Sequence, residues 1–152
     1  MNDQISIEVL NDLIEINNDR MADYEKAIAL LDEDSSSDLK LLFRTMVNNS
    51  RDYNTELQRE ITLMGGAPDY GTSGKGNLYR LWLSIKAAFG DDDRKAILSY
   101  CEKSEDHTQQ VYEKALEVPG LTVMAHTLIT KQQAALAESH SQIEALRNIQ
   151  QH

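Results

Sequence analysis

The chain has 152 residues, of which 41% are hydrophobic and 26% charged, and its formal charge is −10. That length suits one domain with a real hydrophobic core, and the acidic surface disfavours nucleic acid and anionic lipid as partners. No apolar stretch is long enough to span a bilayer.

The N-terminus, Met1-Asn2-Asp3-Gln4, lacks the basic and apolar regions of a signal peptide. The single cysteine, Cys101, cannot form an internal disulfide. A cytoplasmic location is the expectation. Five of the seven glycines fall between Gly65 and Gly76, which leaves the rest of the chain free to run as long helices.

The first helix is expected over residues 4–32. Ile7, Leu10, Ile14, Asn17, Met21, Tyr24, Ile28 and Leu31 recur at alternating spacings of three and four, the seam of a helix packed in a bundle. A second stripe, Val9, Leu13 and Ile16, makes its first half unusually wide, so a cover beyond the other long helices is expected there: a short helix of the same chain or a second subunit. The acidic and serine-rich run 32–37 ends this helix, and a serine should cap the next.

The second helix is expected over 37–64, with Leu39, Leu42, Phe43, Met46, Tyr53, Leu57, Ile61 and Met64 on one side and Gly65-Gly66 as its left-handed stop. Residues 67–76 read as a flexible loop. Gly71-Thr72-Ser73-Gly74-Lys75-Gly76 lacks the Walker spacing of a phosphate loop. A short amphipathic helix follows over 77–89, anchored by Trp82.

Third and fourth long helices are expected over 93–117 and 121–148. The third carries Ile97, Cys101, Ser104, Thr108, Val111 and Ala115 inward. The fourth carries Leu121, Met124, Leu128, Gln132, Ala135, Ser139, Ile143 and Leu146. Two tight hairpins joined by one long connection give an all-α four-helix bundle, with a crossover between the second and third long helices.

Four segments carry a family resemblance: Leu10-Asn11-Asp12-Leu13-Ile14-Glu15 with Asp19 and Tyr24; Glu56-Leu57; Leu81-Trp82-Leu83-Ser84-Ile85-Lys86-Ala87; and Cys101-Glu102-Lys103-Ser104-Glu105-Asp106 with Tyr112, Ala115-Leu116, His140 and Leu146-Arg147. In this order they resemble an uncharacterised bacterial domain family of the ferritin-like superfamily. The resemblance implies a ferritin-like fold for residues 1–152 and no activity, because that family has no agreed one.

Ferritin-like di-iron proteins use a Glu from each of two helices and Glu-x-x-His from each of the other two, so that ligands one turn apart reach the same metal pair. No Glu-x-x-His occurs here. Levelling each hairpin about its turn sets Asn17 opposite Arg51 and Asp52, Glu102 opposite Ala137, and Glu105 opposite Ala134. Neither alanine can bind a metal.

No catalytic residue is assigned and no cofactor is expected. If a metal site exists, Glu56, Glu105 and His140 are the residues that would hold iron or manganese. The simpler reading of Asn17, Asn49, Glu56, Glu60, Ser104, Glu105, Thr108, Gln132 and Ser139 is a hydrogen-bonded layer that fixes helix register. On this reading the carboxylates pair with Tyr24, Tyr53 and neighbouring cations. Cys101 should behave as a small hydrophobe. The expected function is a non-catalytic association or stress-related module, acting through self-association or a protein partner. The rival is a ferritin-like metal-binding protein with oxidase or metal-handling activity.

Overall fold

The computed structural model describes residues 3–31, 36–71 and 93–150. The short helix expected over 77–89, Trp82 and most of the glycine-rich loop lie outside these residues. Four α-helices and no strand are found among the described residues: α1 (Asp3–Leu30), α2 (Ser37–Leu63), α3 (Asp93–Glu117) and α4 (Val123–Gln150). None is long and apolar enough to cross a membrane.

Each helix follows from its apolar period, and two apolar clusters form where the stripes meet. At one end, Tyr24 and Ala27 of α1 and Leu31 just after it pack with Leu39, Phe43 and Met46 of α2, with Ile97 and Cys101 of α3 and with Ile143 of α4. At the other end, Leu10, Leu13 and Ile14 pack with Leu57 and Ile61, Tyr112 and Ala115, and Ala125, Ile129 and Leu136. A fully buried Leu or Ile of this kind contributes about 1.5–3 kcal/mol.

The pairing of ends sets the directions. The start of α2 shares an end with the start of α3, where Arg94 Nη2 meets Asp38 Oδ2 at 2.7 Å. That bond also holds the Asp38 carboxyl below its ordinary value. α2 and α3 are therefore parallel, and each is antiparallel to α1 and α4. α1 packs against α2 and α3, while α4 packs against α3 and, more sparsely, α2. The expected crossover falls on residues 72–92, outside the described residues.

Val9, Leu13 and Ile16 are buried, and they share a cluster with residues of the other three long helices. The short helix named above as one cover lies outside the described residues. Within this single chain the stripe is already enclosed.

Helix ends show where local chemistry decides. Gly65 adopts a φ of 82°, and the amides of Gly65 and Gly66 bond back to Thr62 O at 3.0 Å and Ile61 O at 2.9 Å. This is the double closure that satisfies orphan carbonyls at a helix C-terminus. Gly120, at φ 91°, makes the turn between α3 and α4.

Three expectations need correction. Ser36 precedes α2, yet its side chain makes no capping bond; its carbonyl alone accepts from Lys40 N at 3.0 Å. α4 begins at Val123 rather than Leu121, because Thr122 is its cap and its Oγ1 accepts from Ala125 N at 3.1 Å. The buried stripe of α4 is Ala125, Ile129, Gln132, Leu136, Ser139 and Ile143, so Met124 (64% exposed) points out. The first half of α4 is apolar on more than one side, so its period alone does not single out the stripe that packs inward.

Candidate functional site

Between the two apolar clusters lies a polar layer built by all four helices. Its centre is Arg20 of α1, whose side chain is wholly buried. The guanidinium meets Oε1 of Glu105 on α3 through Nε at 2.9 Å and Nη2 at 2.8 Å. Nη1 donates to Ser50 Oγ at 2.7 Å and to Met46 O at 3.1 Å, both on α2. The Tyr24 hydroxyl donates to the same Glu105 oxygen, and the guanidinium lies 5.2 Å from the Tyr24 ring centre.

The layer continues through hydroxyls and amides. Ser50 Oγ donates to Asn17 Oδ1 at 2.9 Å, and Asn17 Nδ2 donates to Leu13 O at 2.9 Å and to Tyr112 OH at 2.8 Å. Tyr112 OH donates to Gln132 Oε1 at 2.7 Å, and Gln132 Nε2 donates to Tyr53 O and Glu56 Oε1, each at 3.1 Å. The chain of bonds reaches solvent at Lys131 Nζ, 3.0 Å from Glu56 Oε2.

A second buried carboxylate stands beside this layer. Asp23 Oδ1 accepts from Tyr100 OH at 3.1 Å, and Oδ2 accepts from Ser104 Oγ. Burial pushes Asp23 up to about 6 against the lowering effect of those two hydroxyls.

Burial disfavours the charge on Arg20, but Glu105, Tyr24 and Tyr53 together hold it above its ordinary value. Burial, with help from Glu105, lifts the Tyr24 phenol and the Cys101 thiol well above theirs. Cys101 is therefore kept as a neutral thiol in the core, unsuited to nucleophilic work.

The residues singled out for a metal are not brought together. Glu105 is fully buried and shared among Arg20 and Tyr24. Glu56 sits at the α2–α4 boundary with Gln132 and Lys131. His140 pairs with Asp106 beside a cleft of about 500 Å³ between α3 and α4, which Gln109 and Glu113 also line. Among the described residues, no three His, Cys, Asp or Glu side chains gather so as to hold a metal ion.

Some facing positions also differ from the levelled hairpins. Asn17 meets Ser50, one residue from the position expected. Glu102 pairs with Arg147 rather than standing opposite Ala137, and Asp106 pairs with His140. The anchors that the sequence reading missed are Arg20, Asp23 and Ser50.

Fold and layer define an all-α four-helix bundle whose centre is an ion pair wrapped in hydroxyls and amides. A family model described as a domain of unknown function, DUF2383, matches residues 6–118 of this chain. The chain belongs to that family. No curated protein matches it. Arg20, Ser50 and Glu105 fall within the matched residues, whereas all of α4 lies beyond them.

Proposed function

We propose that this chain is a ferritin-like bundle that works as a non-catalytic association or stress-related module in the bacterial cytoplasm. Support for the ferritin-like assignment comes from the parallel α2 and α3, each flanked by antiparallel neighbours. The observation that carries the functional reading is the Arg20–Glu105 pair. A fixed guanidinium occupies the middle of the bundle, where a ferritin-like oxidase needs its metals. Two divalent ions beside a buried cation would face uncompensated repulsion in a low-dielectric core. Glu105 already receives three donor contacts on one oxygen.

Association is supported by apolar side chains on the outside. Leu63, Tyr70, Val123, Met124 and Ile149 are each more than 60% exposed. A protein surface, from a second copy or another protein, suits these better than nucleic acid or membrane. Sedimentation velocity on full-length protein is expected to show concentration-dependent association, and a monomer at every concentration would remove self-association.

One observation favours the rival, a metal-binding protein using iron or manganese. Oε2 of Glu105 is buried without a hydrogen-bond partner. Untagged protein loaded anaerobically with iron(II) or manganese(II), desalted and measured by element analysis and anomalous scattering, separates the two. No ion in the bundle interior is the expected result. Two ions per chain between the helices would replace this reading with the oxidase.

A further inference from the structure

The outside of α2 treats its arginines differently from the rest of the molecule. Six arginines fall among the described residues. Arg20, Arg94 and Arg147 pair with Glu105, Asp38 and Glu102. Arg44, Arg51 and Arg59 are exposed on α2, and among the described residues none of them is in an ion pair, although the chain holds 25 acidic residues. The sequence itself keeps carboxylates away from them. A helical arginine pairs with residues three or four positions distant. Of the positions so placed around these three, only Glu56 is acidic, and it is turned to Lys131 and Gln132. Arg51 Nη1 donates instead to Asn48 Oδ1 at 2.9 Å.

Spacings of seven and eight residues put the three arginines on one face of the helix, at intervals of about 10.5 and 12 Å. Asp52 is the one exposed carboxylate among them, and as the neighbour of Arg51 in sequence it does not face that side chain. Apolar side chains stand at both ends of the row. Leu41 is 68% exposed before Arg44, and Leu63 and Tyr70 are exposed beyond Arg59. Arg59, Leu63, Pro68 and Tyr70 line a shallow groove of about 400 Å³. Its far wall is fixed, because Asn11 of α1 donates to Ala67 O at 3.1 Å and accepts from Asp69 N at 2.7 Å.

We propose, building on the association reading above, that this face of α2 docks an acidic amphipathic helix of another protein. Carboxylates about two turns apart on that helix meet the three arginines, and its apolar side chains enter the groove at Leu63 and Tyr70. A guanidinium takes a carboxylate through two parallel bonds, which suits arginine better than lysine to this task. A second copy of the same face does not fit. Antiparallel pairing about its middle sets Arg44 against a second Arg59, and parallel pairing sets each arginine against itself, so like charges meet either way. Nucleic acid fits less well, because the chain as a whole carries −10 and a phosphate backbone offers nothing to the apolar ends of the row.

Fluorescence anisotropy on the full chain tests this with a labelled helical peptide of about three heptads, carrying Glu once per heptad and Leu on the adjoining flank. At about 50 mM salt the peptide is expected to bind, and binding should weaken as salt rises. Arg44→Glu, Arg51→Glu and Arg59→Glu together should weaken it about tenfold or more. The same peptide with Lys in place of Glu should bind that variant and not the parent. All three side chains are exposed, so the variant should unfold in urea close to the parent. Tyr70→Ala should weaken binding while leaving its salt dependence unchanged. No binding of the acidic peptide would overturn the docking face, as would equal binding to the triple variant. Duplex DNA bound more tightly than the peptide, and lost in the same variant, would make phosphate the ligand instead. Self-association is read separately by sedimentation, so a null peptide titration beside concentration-dependent sedimentation removes this partner and leaves the association reading standing.

Discussion

Asp23 shows how much a single buried residue can set the behaviour of this molecule. Its ordinary value is 3.8, and in the fold it rises to about 6 because burial disfavours its charge. A raised carboxyl contributes most below its unfolded value, and that contribution is lost as pH climbs through its folded value. The loss amounts to about 3 kcal/mol once both states are ionised. Asp23→Asn removes the titration and keeps a side chain that can bond both Tyr100 and Ser104. Urea unfolding from pH 4 to 8 is expected to show the parent losing stability above pH 4 relative to the variant, with the variant the more stable at pH 7.5. Parallel curves for the two proteins would show that Asp23 does not titrate in the fold. Asp23 and Arg20 were legible in principle. The wide stripe Val9, Leu13 and Ile16 continues at the same alternating spacing into Arg20, Asp23 and Ala27. Pattern reading stops at charged residues because they seldom face a core without partners. The partners, Glu105 and Ser50 for Arg20 and Tyr100 and Ser104 for Asp23, come from helices far along the chain, and only the folded bundle brings them close.

At the scale of an element, the helix ends hold the testable chemistry. Gly65 has open space where a Cβ would stand, so Gly65→Ala meets only the strain of a left-handed backbone. It should cost about 1–2 kcal/mol in urea unfolding. Thr122 is a different case, since its hydroxyl satisfies Ala125 N and its own amide donates to Ser6 Oγ at 3.0 Å. Thr122→Ala should cost about 1 kcal/mol, while Thr122→Ser should cost much less. Equal losses for Ala and Ser would show that the methyl group matters and the cap does not. The stop at Gly65 was readable because a paired glycine after an apolar period has few other uses. The start of α4 was not. Leu121, Thr122 and Val123 each continue an apolar-looking pattern, and only the reach of the Thr122 hydroxyl to Ala125 N separates cap from helix.

For the whole molecule, the number of long helices and most of their inner faces could be read from periodicity, because apolar spacing directly records which side is buried. The polar layer was read as a register-fixing element, and Asn17, Ser104, Glu105, Thr108, Gln132 and Ser139 are indeed buried. Its connectivity could not be read, because a hydrogen-bond network depends on relative helix heights to within one residue. Levelling each hairpin about its turn came close for Asn17 and failed for Glu102. The network joins all four helices, so slipping any one of them would strand buried polar groups, each at a cost of about 1–3 kcal/mol. Such a layer gives the bundle one arrangement rather than several. Its keystone is the Arg20–Glu105 pair, and a double-mutant cycle tests it directly. Arg20→Met and Glu105→Leu, alone and together, are compared by urea unfolding at pH 7. Each single change strands a buried charge and should cost about 3–5 kcal/mol, while the double variant, with no charge left unpaired, should cost clearly less than their sum. Losses that simply add would contradict an ion pair at the centre of the fold.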